Sequence, residues 1–325
     1  MNKCKNTTVL EFHILAFSTS GNTTYAIFTG ILFIYLLTVV GNLLIVSLVF
    51  VMPQLHTPIV PQLHTPMYFF LCNLSSVDVI YVSAILPKML SITVKEEKTI
   101  SFFGCITQLY FFIFCGNAEN NILTCMAYDR YVAVCSPLHY SVIMTRKVCL
   151  IIATSYMTFS AVNSLMLSLQ MSTLSFCYSH NINHFFCDVV PLMALSSSDT
   201  RIMKVIISME SFCVAVTFIF ILTSYGRIIS TVLKIRSSNG QIKAFSSCSS
   251  HIITVLLFYG PCIFMYSKPE SDDSKEQDKI LSMLYVAVVP MLNPFVYSLR
   301  NKEVLGAARK MAKAIGSRCV LLSKN

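Results

Sequence analysis

Three acids in this chain stand where acids are costly. Asp78, Glu119 and Glu210 each fall inside a long apolar run. A carboxylate at the centre of a bilayer costs about 2.5–3.5 kcal/mol on insertion scales, so each needs a partner or a task. Asp78 and Glu119 are candidates for a shared cation or proton site, because Asn42 and Asn293 could add further oxygens. For Glu210 an interhelical hydrogen bond is an equally good reading. Around Glu119 the residues Phe112, Gly116, Glu119, Leu123, Met126 and Arg130 are spaced 4, 3, 4, 3 and 4 apart, which keeps them on one helical stripe. Such a stripe would run from an apolar cavity, past a buried acid, to an arginine. An ordinary packing face does not need a glycine and two opposite charges. The spacing Cys177, His180, His184, Cys187 resembles a metal-ligand set. No nucleophile–base arrangement and no glycine-rich phosphate loop is present, so no enzyme is expected.

The elements that must position these residues are membrane helices. Of the 325 residues only 12% are charged and 55% are hydrophobic, and the mean hydropathy is +0.67. A soluble domain carries about 25% charge, and a disordered chain is poor in apolar residues. Seven apolar stretches can be read, at about Tyr25–Val51, Met67–Leu90, Ser101–Val134, Val148–Leu169, Arg201–Ile235, Ala244–Ser267 and Ile280–Leu299. Most reach or exceed about 20 residues without period-2 alternation, which favours helices over strands. The expected fold is an all-α membrane protein, a seven-transmembrane helix bundle. The expected parts are a tail over 1–24, a bundle over 25–300 and a tail over 301–325 with a short amphipathic helix. The first 24 residues are polar apart from short clusters, and Tyr25–Val51 is too long for a signal h-region, so no cleaved signal peptide is expected.

Orientation follows from the basic residues. The N-tail, Lys88–Ile100, Gln170–Lys204 and Lys268–Lys279 together hold ten Lys/Arg, and the opposite side holds fourteen, seven of them in Arg300–Asn325. That bias places the C-terminus in the cytoplasm and the N-terminus outside. The net charge of +9 is scattered between apolar runs, which suits a membrane surface better than nucleic acid. An outside N-tail makes the Asn6-Thr7-Thr8 sequon a credible glycosylation site; Asn22 lies almost on the membrane, and Asn73 lies within a span. The segment Pro53–Val60 is followed by Pro61–Tyr68, with the first six residues, Pro-Gln-Leu-His-Thr-Pro, identical in both. This tandem duplication fills the first cytoplasmic loop, about 52–66, and its four prolines forbid continuous helix there.

At Met126-Ala127-Tyr128-Asp129-Arg130-Tyr131-Val132-Ala133-Val134-Cys135-Ser136-Pro137-Leu138-His139-Tyr140 the chain resembles the olfactory receptors, a branch of the rhodopsin-like G-protein-coupled receptors. Gly41-Asn42, Leu63–Leu71, Ser224-Tyr225, Lys243–His251 and Pro290–Asn301 match further family motifs in order, so the resemblance covers nearly the whole chain. It implies that Asp129 and Arg130 form an ionic lock, and that Tyr225 and Tyr297 swing toward Arg130 on activation. It implies a helix 7 switch at Asn293, Pro294 and Tyr297. It also implies an interior acidic pair at Asp78 and Glu119, where a sodium ion could sit with Asn42 and Asn293. No other cofactor is expected.

The resemblance places a ligand pocket between helices 3, 5, 6 and 7 near their outer ends. Lining candidates are Leu109, Phe112, Ile113, Gly116 and Asn117, then Met209 and Cys213, then Tyr259, Cys262 and Tyr266, with Tyr259 as the toggle. The lining suits a small, largely apolar odorant. The implied partners are that odorant, a heterotrimeric stimulatory G protein that raises cAMP, and the lipid membrane; nucleic acid is not one. The implied location is the plasma membrane of an olfactory sensory neuron, crossed several times.

Resemblance also pairs Cys105 with Cys187. The family's second loop bridge would need a cysteine where this chain has Ser197, so Cys177 is expected to be free. Metal binding by Cys177, His180, His184 and Cys187 is set aside, because Cys187 should already be oxidised. Relatives carry one Leu-His-Thr-Pro segment, so the duplication and the missing cysteine leave a non-signalling or poorly expressed variant as the alternative. A transporter would show repeats of several helices. An amine receptor would favour an acid at Phe112.

Overall fold

A computed structural model describes residues 10–15, 22–51, 66–95, 98–177, 179–266, 272–300 and 306. The glycosylation candidate Asn6, the duplicated segment Pro53–Val60 and the expected C-tail helix beyond Gly306 lie outside the described residues.

Long helices dominate: α1 (Asn22–Val51), α2 (Pro66–Lys95), α3 (Phe102–Cys135), α5 (Arg146–Ser172), α7 (Arg201–Leu233) and α8 (Ser238–Tyr266). A one-turn α4 (Tyr140–Ile143) precedes α5, and a short α6 (Val189–Leu195) precedes α7. The seventh rod is composite: α9 (Asp272–Met283), a π-turn at Leu284–Val288 and α10 (Val289–Arg300). Among the described residues, six helices are long and apolar enough to cross a membrane. The remaining rod, α3, is less apolar because it carries Asn117, Glu119, Asn120, Asn121, Asp129 and Arg130. It packs against α2, α5, α7 and α8, so its polar groups face protein rather than lipid.

The stretches read from hydropathy correspond to these seven rods. The differences lie at the ends. The seventh rod begins at Asp272, eight residues early, because α9 opens on the polar run Asp272-Asp273-Ser274-Lys275 that no hydropathy reading would include. The tail also holds more order than its polarity suggests. Residues Glu11–Ile14 form β1, which pairs antiparallel with β2 (Thr99–Ser101) and parallel with β3 (Asn181–Ile182). Phe12 and Ile14 point inward and are fully buried.

The two ends of the bundle are therefore distinct. One, the sheet end, carries β1–β3, the start of α3 and the start of α7. The other, the Arg130 end, carries the end of α3, α4 and the end of α10. Ser101 caps α3 by accepting from the Gly104 N–H at 3.1 Å, and Thr145 caps α5 by accepting from Val148 at 3.3 Å. Gly41 on α1 permits close approach to α10: an added Cβ would stand 3.3 Å from the Pro294 ring.

Candidate functional site

At the sheet end, Cys105 on α3 is bonded to Cys187 in the loop before α6. Gln108, one turn further along α3, holds the same loop: its Oε1 accepts from the Cys187 N–H at 2.9 Å, and its Nε2 donates to the Ala84 carbonyl of α2 at 3.0 Å. Sequence reasoning did not single out Gln108. Leu109 and Ile113 are buried in the cluster formed with Phe12, Cys105, Phe176 and Cys187. Phe12 meets Phe176 edge-on with ring centroids 5.1 Å apart.

Below this layer lies an aromatic cage. Phe112 contacts Phe186 at 4.8 Å and Tyr81 at 5.9 Å between centroids, and Tyr81 meets Tyr285 at 5.9 Å. Gly116 belongs here, since a Cβ would stand 3.3 Å from the Tyr285 hydroxyl. Tyr259 on α8 forms the floor. Its hydroxyl donates to Asn120 Oδ1 on α3 at 2.6 Å, and Thr217 on α7 donates to the same oxygen at 3.1 Å. One amide thus ties three helices together, and neither Asn120 nor Thr217 was a candidate from sequence. Cys262 is partly buried one turn from Tyr259.

The structure does not gather all ten lining candidates. Met209 is 64% exposed and lies on the α7 stripe Ile202, Val205, Met209, Phe212, Val216 and Ile219, all exposed; Cys213 is also exposed. That stripe repeats every three or four residues and turns outward, as a lipid-facing side does. Asn117 on α3 lies beside Glu210 of α7, whose Oε1 accepts a short hydrogen bond from Asn163 of α5. Glu210 is thus satisfied by an interhelical bond. The Tyr266 side chain lies outside the described residues.

Mid-bundle, Asp78, Glu119 and Asn293 come together, while Asn42 is bonded to backbone carbonyls of α1 and α10. Asp78, Glu119, Asn42 and Asn293 are all at most 2% exposed. Asn293 donates to Asp78 Oδ2 at 2.9 Å. Asn42 donates to the carbonyls of Thr38 at 3.0 Å and Pro290 at 3.1 Å. The Asp78 and Glu119 carboxyls lie within interaction distance of each other. Four oxygens there, Asn42 Oδ1, Asp78 Oδ1, Glu119 Oε1 and Asn293 Oδ1, have no hydrogen-bond partner. Two neighbouring buried carboxylates repel unless a proton or cation joins them. Oxygen donors of this kind are what a small hard cation takes.

At the Arg130 end, Asp129 Oδ1 accepts from the Tyr140 hydroxyl of α4 at 2.7 Å, and Asp129 Oδ2 stands 4.0 Å from Arg130 Nε. Tyr140 ties that carboxylate to the loop, and burial together with the Asp129 charge raises its own phenol pKa. Tyr225 of α7 shares a 2.5 Å hydrogen bond with His251 Nδ1 of α8. His251 is fully buried. Arg130 lies within electrostatic reach of Tyr225, His251 and Tyr297. Ser250 donates to the Val296 carbonyl at 3.0 Å, fastening α8 to α10. His251 appeared in the sequence only as the end of a motif; its partner across the bundle gives it a role.

Cys177, expected to be a free thiol, is disulfide-bonded. Ser197, where the family's second bridge would close, donates from both its backbone N–H and its hydroxyl to the Ser175 carbonyl, each at 2.8 Å. With Cys177 and Cys187 both oxidised, the set Cys177, His180, His184, Cys187 offers no thiolate to a metal. His184 is buried against Phe185 and Phe186, with centroids 4.6 Å from each. Burial, helped by the Lys279 charge, lowers its pKa to about 4. Burial raises Asp188, whose carboxylate caps α6 through the Val189 N–H, to about 6.

Seven membrane-length rods, a disulfide from the third rod to the long loop between the fourth and fifth, a polar core and an Asp-Arg pair at the far end define a seven-helix signalling receptor, which performs no chemistry of its own on a ligand. The family model described as olfactory receptor matches residues 31–314. Olfactory receptor 1F1 of Homo sapiens is 45% identical over 96% of this chain and 97% of its own length. Olfactory receptor 5AR1 of Mus musculus is 44% identical over 96% and 98%, and olfactory receptor 1G1 of Gorilla gorilla gorilla is 43% identical over 94% and 95%. The chain belongs to the olfactory receptor family: it is an odorant receptor, a multi-pass plasma membrane protein that couples to G proteins.

Proposed function

We propose that this receptor binds a small, mostly apolar odorant at the sheet end and activates a stimulatory, olfactory-type G protein at the Arg130 end, raising cAMP. The sheet end faces outside with the N-terminus, and the Arg130 end faces the cytoplasm with the C-terminus. The observation that carries the reading is one line of contacts along α3. It runs from Phe112 and Gly116 in the aromatic cage, through the Asn120–Tyr259–Thr217 bond, to Arg130 beside Tyr225 and His251.

An odorant in the cage would press on Tyr285 and Tyr259. Moving Tyr259 would break its bond to Asn120 and loosen α8 from α3 and α7. Release of α8 would separate His251 from Tyr225, letting Tyr225 turn to Arg130 and opening a crevice for the G protein. This is a two-state device biased by a ligand with different affinities for the two states. A sodium ion held by Asp78 and Glu119, with Asn42 and Asn293, would favour the closed state by joining α1, α2, α3 and α10.

The test is a cAMP reporter screen of cells expressing the full chain against a broad odorant panel, with Arg130→Ala as control. A response that the control lacks supports the reading. A response that survives Arg130→Ala, or one that lowers cAMP, would contradict it. Deleting Pro53–Val60 in the same assay asks whether the duplication weakens delivery or coupling.

A further inference from the structure

The aromatic cage holds a polar atom that the contacts along α3 leave unused. Tyr81 of α2 is fully buried, and among the described residues its hydroxyl has no hydrogen-bond partner. A buried hydroxyl in that state costs stability unless something pairs it. The surroundings are rings: Phe112 and Tyr285 each lie 5.9 Å from Tyr81 between centroids, and Phe258 lies 5.5 Å from Tyr285. The Tyr81 and Tyr285 hydroxyls lie within interaction distance of each other. Tyr285 sets its own hydroxyl over Gly116, 3.3 Å from where a Cβ would stand. Two phenol hydroxyls therefore converge over a position of α3 that has no side chain.

We propose that Tyr81 and Tyr285 anchor the functional group of the odorant, and that this group is a carbonyl: the ligand is a ketone or aldehyde whose oxygen accepts from both hydroxyls above Gly116. The assignment rests on the reading that the odorant binds in the aromatic cage. Neither tyrosine belongs to the lining expected from sequence, which drew on helices 3, 5 and 6.

The choice of a carbonyl follows from counting donors and acceptors. Each phenol offers one O–H, and a carbonyl oxygen accepts through two lone pairs without bringing a proton of its own. One such oxygen serves both tyrosines, while its alkyl or aryl groups lie against Phe112, Phe186 and Phe258. An alcohol brings a further proton that needs an acceptor among these rings. An ammonium offers donors to donors. A carboxylate would bring negative charge toward Glu119, one turn along α3, which already interacts electrostatically with both tyrosines. A hydrocarbon leaves the Tyr81 hydroxyl unpaired, so a site built on that hydroxyl discriminates against it.

The test is the cAMP dose–response of cells expressing the full chain to ketones and to the alkenes that carry C=CH2 in place of C=O. Acetophenone with α-methylstyrene and cyclohexanone with methylenecyclohexane are such pairs. In the wild type the ketone should act at a concentration at least about tenfold lower than its alkene, and Tyr81→Phe or Tyr285→Phe should bring the two within about twofold by weakening the ketone alone. Antibody labelling of intact cells normalises each response. The wild-type comparison needs no variant, so it decides even if a tyrosine variant is not delivered. Equal potency of ketone and alkene, silence toward every ketone, or a ketone preference that survives both Tyr81→Phe and Tyr285→Phe would overturn the assignment. Gly116→Leu, whose side chain fills the cage, separates it from the reading beneath it. A response blocked by Gly116→Leu but without ketone preference in the wild type removes the carbonyl anchor alone. A response untouched by Gly116→Leu removes the cage and the anchor together.

Discussion

The two ends of this bundle are held by different kinds of bond. At the sheet end, α3 is joined to the long loop by the Cys105–Cys187 disulfide, by Gln108 and by a three-stranded sheet over a buried layer of Phe12, Leu109 and Phe176. At the Arg130 end, the helices are joined by single hydrogen bonds: Tyr140 to Asp129, Tyr225 to His251, and Ser250 to Val296. Each such bond contributes about 0.5–1.5 kcal/mol net, whereas a disulfide contributes about 2–4 kcal/mol by constraining the unfolded chain. The difference suits the division of labour proposed above: a ligand needs walls that hold their shape, and a G protein needs a contact that a few kcal/mol can open.

Removing a staple of the rigid end should have the largest effect. Cys105→Ser or Cys187→Ser is expected to lower receptor at the cell surface by about tenfold or more, read by antibody labelling of intact cells. Next comes Arg130→Ala, which should reduce the maximal cAMP response by about tenfold while surface labelling stays within the wild-type range. A parallel loss of labelling would mean that Arg130 is structural. His251→Leu should then raise basal signalling by about fivefold, because it removes the closed-state bond to Tyr225 and leaves that hydroxyl free to turn to Arg130, and losing a bond of about 1 kcal/mol shifts the closed-to-open ratio by that factor. Basal cAMP normalised to surface receptor is the readout.

The smallest effect tests whether the rigid end is also dry. His184 is held neutral, so between pH 6.5 and about 4 the unfolded chain takes up a proton that the folded loop refuses. Stability is therefore lost as pH falls through that window. Asp188 works in the opposite sense, since its folded pKa of about 6 favours proton uptake by the folded loop below that pH. The two partly cancel. The Tm of purified receptor should drop by about 2 °C more between pH 7 and pH 5 in the wild type than in His184→Gln.

Much of this was legible in the sequence, for physical reasons that also mark the limit. Membrane spans announce themselves because a lipid-crossing helix needs about 20 apolar residues in a row. Asp78 and Glu119 stand out because a carboxylate in such a run is costly, and the structure places them near each other, with Asn293 bonded to Asp78. Neutral polar residues carry no such signal. Asn120, Thr217 and Gln108 gain meaning only from partners 97, 139 or 79 residues away. Strand β1 is four residues in a polar tail, too short for alternation to speak. Met209 and Cys213 illustrate the converse: apolar residues near a pocket in sequence can face lipid, because helix rotation is fixed by packing on neighbours. Cys177 shows that a missing partner at one position does not leave a thiol unpaired.

The central claim is that a ligand between α3, α8 and the seventh rod at the sheet end opens the Arg130 end. Spin labels on α3 beside Arg130 and on α8 beside Ser250, in a receptor purified in detergent, measure that opening directly. Adding an odorant that scores in the cAMP screen should lengthen the distance between the labels, while a second pair across β1 and β3 stays fixed. An unchanged distance at the Arg130 end, with movement confined to the sheet, would contradict the account.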